Sequence, residues 1–223
     1  MSVATRMIDA VKAGDADALR SILESAPDAA TARAEGGDSP LMLALYMGRR
    51  ELAEVMMAHG RHPDAAECAA LGHVDRLRAA LDAQPDLPTR LTHDGWTLLH
   101  LAAFFGRVDA MRLLLERGAD PKALSTNTLR NTPLHAGMAG PNALGAARVL
   151  VDAGVDVNAR QHGGYTALHA AAQHGRMDLV DLLLAAGADA GVAADDGRRA
   201  ADFAAEKGHA GVAEHLRARG GAV

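Results

Sequence analysis

Eleven histidines are the residues of this chain best suited to chemistry, because imidazole serves as general base and as metal ligand near neutral pH. Three of them, His100, His135 and His169, close the tetrapeptides TLLH, TPLH and TALH at spacings of 35 and 34 residues. That regularity places one histidine in each structural repeat, with successive copies about 10 Å apart, the distance between stacked helices. Bonds to one metal are about 2 Å long, so the three cannot share an ion. His59 and His62 lie three residues apart, but no carboxylate or cysteine completes a site with them. Ser2, Ser21, Ser25, Ser39 and Ser125 fall in termini, helix faces or turns, and no base and orienting group can be assigned to any of them. No phosphate loop of the G-x-x-x-x-G-K-[ST] type is present. The expectation is a protein that is not an enzyme and holds neither metal nor cofactor.

The elements that position these histidines repeat through nearly the whole chain. Glycines recur at 14, 48, 72, 106, 140, 175 and 208, and periods of 20–50 residues mark stacked arrays. A second series, Gly60, Gly118, Gly154 and Gly187, closes Leu-rich segments such as MRLLLERG (111–118) and VDLLLAAG (180–187). Thr132 before Pro133 reads as a helix start, with the hydroxyl as cap and proline at the first helical position. ALHAAAQHG (167–175) follows as a short Ala-rich helix, and RMDLVDLLLAAG (176–187) as an apolar second helix. Helix, turn, helix, loop is therefore the unit. Residues 14–41 and 72–99 also match at a constant offset of 58, as in Gly14/Gly72 and Pro27/Pro85. The first four units thus look like a duplicated block of two. Between Gly48 and Gly72 the glycine gap shrinks to 24, so the loop RHPD (61–64) is too short for a full hairpin. The loop ALSTNTLRN (123–131) is extended, and GPNALG (140–145) is an irregular turn.

Composition narrows the class. Aromatics are only 3%, so the core must be built from Ala, Leu and Val. A net charge of −5 argues against nucleic acid or an anionic membrane as partner. The single cysteine, Cys68, excludes a disulfide framework and fits a reducing, cytoplasmic setting. No apolar run approaches a bilayer span, and MSVATRMIDAVKAGDA carries no apolar signal core. Arg outnumbers Lys 20 to 3, which points to a bacterial source.

The repeated elements resemble the ankyrin repeat, with its pattern D-G-x-T-P-L-H-x-A-A, G, a Leu-rich helix and G-A-D-V-N. The best copies are DGWTLLHLAAFFG with LLLERGAD (94–120) and GGYTALHAAAQHG with LLLAAGAD (163–189). The resemblance covers about residues 5–217 and implies an all-α solenoid of about seven units with short hairpin-like loops. The expected units are about 5–37, 38–61, 62–94, 95–130, 131–163, 164–196 and 197–217, with a tail at 218–223. The last carries Arg199, Ala200, Ala201 and Asp202 in place of T-P-L-H and reads as a cap. In the family, the histidine of that element joins a hydrogen-bond network tying neighbouring loops, so the resemblance implies a structural role for all three. Cys68 takes a normally buried alanine position and reads as a core thiol. Asn158, in LVDAGVDVN (150–158), stands at the site that asparaginyl hydroxylases modify in such proteins, although the asparagine is ordinary repeat consensus.

The resemblance also places partner contacts on the concave face of the first helices and on the loop tips. Five of the six aromatics fall on those positions: Tyr46, Trp96, Phe104, Phe105 and Tyr165. With Met47, Leu71 and His174 they form the expected partner-binding groove, since exposed apolar patches and aromatic anchors mark interfaces. The alternative is that these side chains pack between units. The functional expectation is a monomeric protein–protein interaction module acting as adaptor, inhibitor or regulator. A small-ligand protein or enzyme using a His- and aromatic-lined groove, and a host-directed bacterial effector, stand as the other readings.

Overall fold

The computed structural model describes residues 1–34 and 36–220. Fourteen α-helices, counted among these residues, fall into seven antiparallel pairs. They are α1 (Val3–Ala13) with α2 (Ala16–Ser25), α3 (Pro40–Tyr46) with α4 (Arg50–Ala58), α5 (Ala65–Leu71) with α6 (Val74–Ala83), and α7 (Leu98–Phe104) with α8 (Val108–Glu116). Then follow α9 (Pro133–Met138) with α10 (Ala143–Asp152), α11 (Ala167–Gln173) with α12 (Met177–Ala185), and α13 (Ala200–Glu206) with α14 (Ala210–Gly220). Each pair stacks on the next, giving the all-α repeat solenoid. The loops touch strand geometry only at two isolated antiparallel bridges, Leu91–Thr97 and Ala193–Arg199. Two boundaries differ from the sequence reading. α1 begins at Val3, because the Ser2 hydroxyl caps it, and α14 runs to Gly220, so the helix takes up the first three residues assigned to a tail. The remainder of that tail, 221–223, lies outside the described residues.

Local chemistry explains the short first helices. The side chains of Thr97 and Thr132 accept from the amides of His100 and His135 three residues on, and Pro133 occupies the first turn, where its missing N–H costs nothing. At the other end, Gly72 adopts φ 81°, a left-handed turn that side-chained residues resist. The residue after this turn often ties the unit to its predecessor. Arg49 donates to the carbonyl of Val11, Arg107 Nε to that of Ala70 at 2.9 Å, and Asn142 Nδ2 to that of Gly106 at 3.4 Å.

The core divides in two. One cluster holds the second-helix side of the third to seventh pairs, from Leu77 through Met111, Leu150 and Leu183 to Leu216. The other gathers the first two pairs around Met7, Leu23, Leu52 and Met56, and extends along the first helices through Leu71, Leu101 and Phe105 to Ala136. The division falls where the chain connects α4 to α5 with six residues, 59–64. The other connections between pairs have 14 residues, or 16 in the case of 117–132. Among the described residues no helix is long and apolar enough to cross a membrane.

Candidate partner-binding surface

The first-helix wall is built around four aromatic side chains from two units. Tyr46, at the end of α3, stands 5.5 Å from Phe105 and 6.1 Å from Phe104, measured between ring centroids. Phe104 lies edge-on to both Trp96 (5.4 Å) and Phe105 (5.1 Å), the arrangement that aromatic quadrupoles favour. Tyr46 and Phe104 thus meet across the third unit, whose small Ala70 leaves room above it. The Tyr46 hydroxyl donates to Asp94 Oδ2 at 3.0 Å, so a loop tip closes the cluster. Burial, followed by the Asp94 charge, pushes the phenol above its ordinary range.

This geometry corrects the expected groove. Leu71, Trp96 and Phe105 are only 3%, 8% and 8% exposed and belong to the core. They form its floor, because the first helices approach closely enough over alanines to cover them. Tyr46 and Phe104 are half-buried, and Met47 alone of this group stands exposed. Tyr165 does not extend the same patch. It packs against Phe203 (5.4 Å) and His169 (6.0 Å) in a second cluster, over which the Arg198 guanidinium lies 4.1 Å from the Phe203 ring. His174 is exposed nearby, its Nδ1 2.8 Å from the Ala170 carbonyl. Phe203 was set aside as a terminal-unit residue; its spacing of 34 from His169 matches the repeat period and could have exposed the pairing.

The three repeated histidines line no groove. His100 Nε2 donates to the Asn131 carbonyl at 3.0 Å, while Nδ1 accepts from the Thr97 hydroxyl at 2.8 Å. His135 repeats this with Thr132 and with the Tyr165 carbonyl at 3.2 Å. A carbonyl can only accept, so both rings are neutral with the proton on Nε2. Burial holds both down to about 4. His169 keeps the Thr166 contact at 2.9 Å, but its Nε2 finds no hydrogen-bond partner among the described residues. Enclosed in this way, the histidines are not available to the small-ligand or enzymatic groove. Cys68 is 2% exposed and burial pushes its thiol up to about 11, the state of an inert core thiol. Both amide atoms of Asn158 are engaged with the following loop, with Gly187 O and Asp189 N.

One polar network has no counterpart in the sequence reading. At the second junction Glu67 occupies the histidine's place, three residues after the cap Asp64. Its carboxylate is 1% exposed and accepts from Ser39 Oγ (2.5 Å), from the Asp64 amide (2.7 Å) and from both sides of the Arg61 guanidinium fork (2.8 and 2.9 Å). Burial, then the Asp64 charge, pushes the Glu67 carboxyl above its usual range, against the opposing pull of Ser39 and Arg61. The D-A-A-E tetrapeptide in register with T-P-L-H was the available signal.

Stacked helix hairpins with a largely side-chain-lined first-helix wall define a repeat scaffold for macromolecular contacts. A family model described as ankyrin repeats, three copies, matches residues 65–161 and 142–222, and the chain belongs to that family. It is 34% identical over 167 residues to the B-cell lymphoma 3 protein homolog of Mus musculus, a match covering 69% of this chain and 37% of that protein. It is 35% identical over 124 residues to the probable E3 ubiquitin-protein ligase XBOS34 of Oryza sativa subsp. japonica, covering 55% of this chain and 24% of that one. With the neurogenic locus Notch protein of Drosophila melanogaster it shares 41% over 105 residues, 47% of this chain and 4% of the relative. The chain thus spans well under half the length of these relatives. All three are eukaryotic and lend no support to a bacterial origin. Ankyrin repeats are in general non-enzymatic modules that bind other proteins, and this chain is an interaction module of that kind.

Proposed function

We propose that the chain acts as a monomeric adaptor, inhibitor or regulator in a reducing, cytoplasmic compartment, holding one partner protein on its concave first-helix face. The observation that carries this reading is Met47, 41% exposed beside the half-buried Tyr46 and Phe104 in a chain with only six aromatics. An exposed methionine over an aromatic floor adapts to apolar ligands and supplies the anchor such interfaces need. Leu71, Trp96 and Phe105 support that floor from beneath, and Tyr165 with His174 offers a second contact towards the C-terminus. The net charge of −5 favours a protein over a nucleic acid as partner. The test is affinity capture from the native host with the unaltered chain and with Met47→Glu. The expected result is one partner lost by the variant at an unchanged melting temperature. Equal capture by both would overturn the reading.

A further inference from the structure

The six-residue connection leaves a place empty that the chain fills elsewhere with its own loops. After the other Leu-rich helices the sequence runs Gly118-Ala119-Asp120, Gly154-Val155-Asp156 and Gly187-Ala188-Asp189, and Ala119, Val155 and Ala188 are at most 9% exposed in the core. After α4 it runs Gly60-Arg61-His62-Pro63, with no such residue. Four and eight residues after the mid-repeat glycine, other units bury Leu52 and Met56, Ala110 and Leu114, Leu179 and Leu183, and Val212 and Leu216. In the third unit these places hold Arg76, exposed, and Ala80, half-buried. What remains is a groove of about 600 Å³, walled by Pro63, Ala80, Leu87, Leu91 and Leu98 with Arg76 at its rim. Leu91 is 47% exposed. Arg76 has no carboxylate within ion-pair distance among the described residues; its polar neighbour is His62 Nδ1 at 3.4 Å.

We propose that this groove receives an extended segment of a partner protein in which a small aliphatic residue is followed by a carboxylate. Two observations select that occupant. The chain's own loops supply this pair, aliphatic then Asp, at the equivalent places. The unpaired Arg76 asks for an acid, and a charge-assisted contact there is geometrically open. The surface is distinct from the concave face and stands or falls separately from the reading above.

The probe is a fluorescently labelled peptide of residues 153–162, AGVDVNARQH, titrated into the full chain and followed by anisotropy. Saturable binding is expected. Arg76→Ala should weaken it about tenfold, roughly one charge-assisted hydrogen bond, and Leu91→Glu should abolish it. Both side chains are exposed, so unchanged melting temperatures verify that the variants fold. A peptide with Asp156→Ala should bind as weakly to the unaltered chain as the original does to Arg76→Ala. Met47→Glu should leave peptide binding intact, which separates failure here from failure of the concave-face reading. No saturation at millimolar peptide, or binding indifferent to both groove substitutions, would overturn the proposal. So would Leu91-dependent self-association in sedimentation, which would make a second copy of the chain the occupant.

Discussion

The junction between the second and third units and the junctions after it solve one problem with opposite chemistry. In the fourth and fifth units a neutral imidazole reaches forward to a loop carbonyl, His100 to Asn131 and His135 to Tyr165. At the second junction a buried carboxylate reaches back, Glu67 to Ser39, and carries an arginine with it. Imidazole is cheap to bury because it can be neutral; a carboxylate needs several donors to offset its desolvation. The exchange follows from loop length. A full loop presents a carbonyl to the histidine behind it, whereas the six-residue connection presents Arg61 and a preceding cap hydroxyl instead. The contrast teaches that register alone does not decide the tie between repeats: the loop standing opposite does.

The sharpest way to break this contrast is to remove one member of the charged junction. Glu67→Ala would leave the Arg61 guanidinium, 10% exposed, without its carboxylate. Stranding a buried charge costs about 3–5 kcal/mol, so the urea midpoint should fall and the first two pairs should unfold ahead of the rest. An unchanged midpoint would mean the network contributes nothing net. Phe105→Ala should rank next, at about 3–4 kcal/mol for a truncated core aromatic. Although Phe105 lies in the fourth unit, it belongs to the cluster of the first two pairs. Hydrogen exchange should therefore rise in residues 1–58 as well as around α7; a rise confined to α7 would contradict the shared core.

Acid separates the two chemistries by sign. His100 and His135 have folded values of about 4 against an ordinary 6.5. The unfolded chain binds their protons first, so their contribution is complete above pH 6.5 and is lost as the pH falls towards 4. Linkage puts the loss at as much as about 3 kcal/mol per histidine. Glu67 is shifted upwards, so its folded form takes a proton before its unfolded form does. Acidification through that window favours folding at the second junction. Exchange between pH 7 and 5 should accordingly accelerate around residues 97–166 before it does around 39–67. His100→Gln should flatten the stability profile over the same range.

Most of the architecture was legible because three signals share one phase: the capped T-P-L-H element, the mid-repeat glycine and the Leu-rich helix. The histidines' structural role and the shortened loop were legible for the same reason. The exposure of the site was not. Positions before the glycine look outward on an isolated hairpin, yet Phe105 is buried because Tyr46 crosses over the third unit to cover it. That contact depends on the small Ala70 and on the missing loop, and no single-repeat pattern encodes it. Glu67 and Phe203 were hidden by their type, one a carboxylate in a histidine's place, the other an aromatic discounted for lying in the last unit.

The smallest effect tests whether the loop tips share in closing the short junction. Tyr46 donates to Asp94, 48 residues away, while His93 Nε2 stands 3.1 Å from Asp38 Oδ1 on the loop beyond the missing one. Removing the phenol oxygen with Tyr46→Phe keeps the ring contacts and deletes one hydrogen bond, worth about 1 kcal/mol. Were the tips independent, combining it with His93→Ala would simply add the two losses. A shared closure predicts a double variant less destabilised than that sum, since either change alone already frees the tip. Strict additivity in urea titrations would confine the junction's tie to Glu67 and the aromatic floor.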